Sequence, residues 1–322
     1  VKFAFIIDPI AKLDPSHDSS VALMEAAQKA GHEVWIAQAT QLSAIAGQVR
    51  AFLQQVELTP VELVEGNWVV ADPWYRLLTE GWRPLEEMDA VFMRTDPPVT
   101  MPYLYATQLL DLVDSQKTLV VNSPRGLQAA NEKLYALNFP EVMPETIVSQ
   151  DKSVIQQFVE EQGAGVLKPL DGKAGEGILF LAAGDRNLNS LIEISTRWGR
   201  EPVMVQQFLP AAAEGDKRII LLDGEPIGAV NRIPTGQDFR GNMAVGGRVA
   251  KAEISDRERE ICAAVGPRLK ADGLYFVGLD AIGGYLTEVN VTSPTGIREI
   301  DRLSGTRLGE TTIAWVEKSR GG

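Results

Sequence analysis

A chain of 322 residues with 45% hydrophobic side chains has room for about two domains with substantial cores. Its 31 Lys and Arg stand against 43 Asp and Glu, and the resulting charge of -12 excludes a nucleic-acid backbone as the default partner, because the overall field would repel it. A single cysteine, Cys262, leaves no internal disulfide and no cysteine-rich zinc cluster to consider.

The opening run "VKFAFIIDPI" meets Asp8 and Pro9 too early for a signal-peptide core, and no later apolar run approaches the roughly 18 residues of a spanning helix. A soluble, cytoplasmic chain with no membrane partner is the expectation. "KFAFIID" reads as a strand, and "SSVALMEAAQKAG" as a helix with apolar residues at helical spacing, capped at Asp18 or Ser19 and stopped by Gly31. "EVWIA" resumes an extended pattern, so a βαβ unit opens the chain. "VRAFLQQVEL" to "NWVVADPWYRLL" reads as edge strands or an excursion, followed by a strand in "DAVFMR", a helix in "YLYATQLLDLV" and a short strand in "TLVVN". The loop "DPIAKLDPSHDSS" carries no Gly-rich fingerprint, which argues against a dinucleotide-binding Rossmann site within an α/β architecture. His17 lies in that loop with its role open, whereas His32 precedes a strand and reads as structural.

A second composition follows "VNSPRGLQAANEKLYALNF". "ETIVS" is a strand, "KSVIQQFVEEQG" a helix, and "GVLKPLDG" and "ILFLA" are strands joined by the loop "GKAGEG". "PVMVQQFL", "KRIILLDGEPIGAVNRI" and "YFVGLDAIGGYLTEVNV" read as antiparallel strands, the second turned at Asp223 and Gly224. "REREICAAVGPRLKA" is a helix that buries Cys262. Between them, "PTGQDFRGNMAVGGRVA" has the composition of a mobile loop.

Two stretches carry chemistry. "GKAGEG", Gly172 to Gly177, reads either as a tight hairpin or as a phosphate cradle, in which glycines let backbone N–H groups approach and Lys168 supplies charge. In "LTEVNV", Glu288 and Asn290 share a strand face. A hairpin pivoting over Gly283, Gly284 and Tyr285 sets Asp280 opposite Glu288, collecting oxygen ligands that suit Mg²⁺; a two-residue turn on the glycines pairs Asp280 with Thr287 instead. A solvated hairpin face is the plainer alternative. Lys133, Lys168, Arg218, Arg232, Arg240, Arg248 and Arg298 are separate surface charges unless they converge. Convergence would draw a polyanion against the overall field.

"DPIAKLDPSHDSS", "FMRTDPP", "NSPRGLQAANEKL", "LKPLDGKAGEG", "NRIPTGQDFRGNMAVGGR" and "LTEVNVTSPTGIREI" occur in an order that resembles the bacterial glutathione synthetases, ATP-grasp ligases, across nearly the whole chain. The resemblance implies an α/β ATP-grasp fold with an N-terminal α/β domain at 1–122, a central lid at 123–203 and a C-terminal antiparallel-sheet subdomain at 204–322. It implies that Lys133, Lys168 and Asp216 belong to the ATP-binding set, and that Gly172, Lys173, Gly175 and Gly177 close over the phosphates. Gln206, Gln207, Phe208 and Leu209 would follow the adenine edge, and Arg218 and Arg232 would stabilise the transferred phosphoryl group. Asp280, Glu288 and Asn290 would hold the metal, Mg²⁺ or Mn²⁺, with Asn290 also orienting the acyl group and Arg240 closing the mobile loop over the dipeptide. "GKAGEG" and "QQFL" depart from the Gly-Met-Gly-Gly and Gln-Asn-Tyr-Leu of the enterobacterial form. The implied reaction joins γ-L-glutamyl-L-cysteine (gamma-glutamylcysteine) to glycine with ATP, in a cytoplasmic homotetramer. Its rivals are another carboxylate–amine ligase of the same fold and a nucleotide-binding scaffold without turnover.

Overall fold

The structure is a computed structural model that describes residues 1–172, 175–235 and 248–320. The opening βαβ unit forms as its sequence dictates. β1 (Lys2–Ile6) and β2 (Glu33–Ala37) pair in parallel, and α1 (Ser19–Lys29) crosses between them. Asp18 starts α1, its carboxylate accepting from the backbone of Ser20 at 2.6 Å and Val21 at 3.1 Å, two donors the first helical turn leaves unpaired.

The excursion is a long antiparallel ribbon. β3 (Leu42–Ile45) and β4 (Gln48–Leu58) follow β2, a small hairpin of β5 (Glu62–Val64) and β6 (Asn67–Val69) projects, and β7 (Tyr75–Pro84) returns along β4. β8 (Ala90–Met93) and β9 (Leu119–Val121), with α2 (Met101–Leu110) between them, complete a sheet of order β3-β4-β2-β1-β8-β9, with β7 against β4. α3 (Pro124–Ala129) leads away from it.

A second sheet of order β10-β13-β11-β12 contains β10 (Thr146–Ser149), β11 (Ala164–Pro169), β12 (Leu179–Ala182) and β13 (Val203–Gln207), covered by α4 (Lys152–Gln162) and α5 (Leu188–Ser195). The third sheet runs β16-β15-β14-β17-β18 and contains β14 (Asp216–Leu222), β15 (Glu225–Ile233), β16 (Arg248–Lys251), β17 (Phe276–Ile282) and β18 (Tyr285–Asn290). α6 (Asp256–Ala271) lies on it and buries Cys262, whose thiol desolvation pushes up to about 12, so it packs rather than reacts. A Cβ on Gly266 would stand 2.5 Å from the Gly224 carbonyl oxygen, so α6 and the β14–β15 turn approach at a distance that admits only glycine. α7 (Ile297–Ser304) and α8 (Leu308–Arg320) close the described chain.

Core packing divides these layers differently from the expected boundaries. The first and third sheets share two clusters, one joining Ile6, Leu53 and Val91 to Ile219, Leu269 and Leu279, the other joining Phe5, Leu23 and Phe92 to Ile220, Phe276 and Ile313. The second sheet has its own core of Ile155, Val159, Leu167, Leu181, Ile192 and Val205. Leu127, Tyr135, Phe139 and Met143 belong to the shared core, and β13 pairs with β10 and β11. The expected central unit at 123–203 therefore takes in part of the base and cuts β13; we place it at 144–207. Among the described residues no helix is long and apolar enough to cross a membrane.

Candidate active site

Four cross-strand registers build the site. Asp216 pairs with Arg232 across β14–β15, Arg218 with Asp280 across β14–β17, and Asp280 with Glu288 and Gly278 with Asn290 across β17–β18. Alternation along a strand then puts these charged side chains on one face. The hairpin settles both sequence alternatives in part. Its turn is centred on Gly283 and Gly284, both at positive φ, so Ile282 pairs with Tyr285; yet a bulge beside Asp280 leaves Thr287 as the extra residue and restores Asp280 opposite Glu288.

That face looks across a cavity of about 400 Å³ toward the second sheet. Lys168, Gly172, Gly175 and Gln206 through Leu209 line it from the lid side, and Lys133, Asp216, Arg218, Arg232, Asp280, Glu288 and Asn290 from the base. Of the basic residues singled out, Lys133, Lys168, Arg218 and Arg232 converge. Gly177 stands behind the loop, where a Cβ would meet Pro169 Cγ at 2.8 Å. Arg248 is exposed at the start of β16, and Lys173 and Arg240 lie outside the described residues.

Arg298 is neither a surface charge nor part of that convergence: it is buried at the base, 2.8 Å from Glu25, donating to Pro15 O at 3.0 Å and lying 5.2 Å from the Trp68 ring centre. It locks the β5–β6 hairpin and α1 against α7.

Within the cavity Asp216, Asp280 and Glu288 each meet a cation. Arg218 grips Asp280 with two hydrogen bonds of 2.5 and 3.0 Å and donates to Thr295 O at 3.1 Å. Arg232 reaches Asp216 at 2.6 Å and Asp280 at 2.9 Å. Burial works against ionisation of Asp280, but the two guanidiniums outweigh it and hold the carboxyl well below the usual range. Asp216 goes the other way: burial, with Asp280 beside it, outweighs Arg232, Arg218 and Lys168 and raises its pKa. Lys133 donates to Gly172 O at 2.7 Å and sits 3.2 Å from Glu288. Lys168 donates to Gln206 Oε1 at 2.5 Å, and its buried ammonium titrates below the ordinary lysine range.

Two family models match these units: the prokaryotic glutathione synthetase N-terminal domain over residues 1–128, and the ATP-grasp domain of the same enzymes over residues 132–305. The chain belongs to the prokaryotic glutathione synthetase family. It is 66% identical over 319 residues to a glutathione synthetase of Nostoc sp., spanning 99% of this chain and 98% of the relative. Against that of Synechocystis sp. it is 67% identical over 318 residues, spanning 99% of each. Among solved structures, D-cycloserine synthetase superposes with TM-score 0.63 at 15% identity over 99% of both chains. An ATP-grasp ligase complexed with a precursor peptide gives TM-score 0.62 at 17% identity, over 99% of this chain and 97% of that one. Those identities speak for the fold alone, and membership of the family makes this chain an ATP-grasp ligase.

Three residues of the family motifs do work that spacing did not reveal. Glu132 accepts from Val291 N at 2.8 Å, Thr292 N at 2.9 Å and Thr292 Oγ1 at 2.8 Å, pinning the end of β18 beside Asn290; burial raises its pKa. Arg94, in "FMRTDPP", donates to Ser20 Oγ at 3.1 Å and Pro294 O at 2.9 Å, tying the first sheet to the 293–295 turn. His17 lines the cavity with its Nδ1 bonded to Glu299. The adjacency of Glu132 to Lys133 was the one available signal for the first; the others depend on contacts of long sequence separation.

Among the described residues, no three His, Cys, Asp or Glu side chains cluster as a metal site. The donor set of Asp280, Glu288 and Asn290 is nevertheless all oxygen. Asn290 spends its Nδ2 on Gly278 O and Asp280 Oδ2, both at 3.2 Å, which leaves its Oδ1 as the available ligand atom. Two carboxylates and an amide oxygen fit a hard divalent cation that also binds phosphate, provided Arg218, Arg232 and Lys133 give up part of their hold.

Proposed function

We propose that this cavity joins γ-L-glutamyl-L-cysteine to glycine with ATP, releasing glutathione, ADP and phosphate. The observation that carries the reading is the meeting of four cations and an oxygen-ligand trio in one cavity between the lid and the base. ATP lies with its adenine along Gln206 to Leu209 and its phosphates among Lys133, Lys168, Arg218 and Arg232. The cysteinyl carboxylate attacks the γ-phosphorus, the bond to the ADP oxygen breaks, and an acyl phosphate forms. Glycine's amine then attacks the acyl carbon, phosphate departs, and the amine proton passes to solvent or to phosphate. Lysine and arginine stabilise charge on the transferred group by position, without a covalent protein nucleophile. Asp280, Glu288 and Asn290 would hold Mg²⁺, or Mn²⁺ in its place, which when bound would supply positive charge against the phosphate oxygens. Asn290 also orients the acyl group.

The purified chain with Mg²⁺ is expected to release ADP only when both γ-glutamylcysteine and glycine are present, measured by coupled assay. Equal turnover with unrelated dipeptides would remove the substrate assignment, and silence across a broad acid and amine panel would leave a binding protein. The same reading carries a cytoplasmic homotetramer. Exposed Leu77, Leu78 and Trp82 on β7, with Leu63 and Val64 on β5, offer apolar surface for self-association. Light scattering reads the assembly directly, and a monomer would refute it.

A further inference from the structure

The nucleotide half of the cavity accounts for Lys133, Lys168, Arg218 and Arg232. It leaves a second group of polar side chains that line the same cavity from the β1–α1 loop. Lys12, Asp14, His17 and Asp18 line the cavity there, with Asp96 from the β8–α2 connection. Asp14 is engaged by its own loop, accepting from Ser16 N at 2.9 Å and Ser16 Oγ at 2.6 Å, and Asp18 caps α1. His17 differs from both. Its side chain is 39% exposed toward the cavity while Nδ1 is bonded to Glu299, whose side chain is 8% exposed on α7. Glu299 thus fixes the ring and leaves Nε2 as the atom free to meet a ligand.

This loop is stitched to the turn after β18. Ile297 N donates to Ser19 Oγ at 3.2 Å, Arg298 to Pro15 O at 3.0 Å, and Arg94 bridges Ser20 Oγ and Pro294 O. His17 is therefore held at a set place relative to the 293–295 turn, which leads from Asn290 along the cavity wall. On the proposed reaction, the cysteinyl carboxylate reacts beside Asp280 and Arg218. The γ-glutamyl α-carboxylate lies some three residue lengths of extended chain beyond it, roughly 10 Å.

We propose that His17, oriented by Glu299, binds the α-carboxylate of the γ-glutamyl group and so selects the dipeptide. The inference rests on the reaction proposed above. The charged groups acting on His17 are Glu299 on α7 and Asp14 and Asp18 on its own loop; Lys12 and Asp96 line the same cavity, and Arg298 pairs with Glu25. The bond to Glu299 outweighs burial and raises the His17 pKa, so the imidazolium persists above the ordinary histidine range. Its carboxylate neighbours match the adjacent α-ammonium of the same glutamyl head.

The test pairs variants with a substrate that lacks the group in question. In the parent enzyme, 4-aminobutanoyl-cysteine, which has no α-carboxylate, should show a KM about tenfold or more above that of γ-glutamylcysteine, the scale of one charge-assisted hydrogen bond. His17→Gln should raise the γ-glutamylcysteine KM by a similar factor, abolish the discrimination between the two substrates, and leave kcat and the KM for ATP near the parent values. As pH rises through the His17 pKa the parent KM for γ-glutamylcysteine should climb, because the imidazolium is lost; His17→Lys should restore low KM and flatten that rise. Undiminished discrimination in His17→Gln overturns the proposal, as does an equal loss in kcat and in ATP affinity, which marks a purely structural role. A parent enzyme that fails to turn over γ-glutamylcysteine refutes the underlying reaction instead.

Discussion

Arg218→Lys is expected to keep the charge at the cavity and still lose about a hundredfold or more in kcat, the usual scale for removing one preorganised donor from a charge-developing site. Arg218 makes three directed bonds at once, two to Asp280 and one to Thr295 O. A lysine ammonium is a point charge on a flexible stem and cannot reproduce a planar fork. In the proposed reaction this arginine spans the metal carboxylate and the turn that carries the acyl substrate, so its loss misplaces both. Stability should fall as well, by about 1–3 kcal/mol, because Asp280 stays buried with a poorer partner. The pH signature follows from the depressed Asp280 pKa. The pair contributes stability that is full above the unfolded carboxylate value near ~4 and lost as pH falls through the lower folded value, so the variant should unfold earlier in acid than the parent. Stopped assays of ADP release and acid titration of the fold measure the two effects. A variant with parental kcat would rule out the placing of Arg218 at the transferred phosphoryl group.

Local signals in the sequence carried much of this architecture. Asp18 and Gly31 bracket α1 because a cap and a stop are written into single residues, and Asp223 and Gly224 mark the β14–β15 turn in the same way. What failed depended on pairing between distant segments. β13 joins the second sheet through partners roughly 40 and 60 residues upstream, as Lys168 pairs with Met204 and Thr146 with Gln206, and nothing in "PVMVQQFL" names those partners. The β17–β18 register turned on one extra residue. Two glycines predict the turn, but only packing decides that Thr287 is bulged and Asp280 meets Glu288. Neighbouring charges on α7 part company for a related reason. Successive residues on a helix point about 100° apart, so Arg298 enters the interface with Glu25 while Glu299 supports His17. Proximity in sequence to the metal candidates was a poor guide for Arg298. Of the carboxylate–amide trio only the Glu288–Asn290 pair was legible, because a strand's period is short and fixed, whereas Asp280 joined it through the bulge.

Glu288→Gln separates the metal reading from a merely electrostatic one. Glu288 lies 3.2 Å from Lys133, and its side chain is 22% exposed, so the amide should fit with little change in fold; Lys133 keeps its bond to Gly172 O at 2.7 Å. If Glu288 only balanced Lys133, removing its charge would strengthen the lysine's hold on ATP and leave the dependence on Mg²⁺ alone. If it holds Mg²⁺, an amide offers one neutral oxygen where a carboxylate offered charge. The expected result is a fall in turnover of about a hundredfold at limiting Mg²⁺, partly recovered at high Mg²⁺, with a matching loss in calorimetric affinity for ADP that appears only when Mg²⁺ is present. ADP affinity without the cation should be unchanged or better, because the phosphates no longer face a carboxylate beside Lys133. Parental Mg²⁺ dependence in both measurements would take Glu288 out of the metal site and return it to a surface charge on a hairpin.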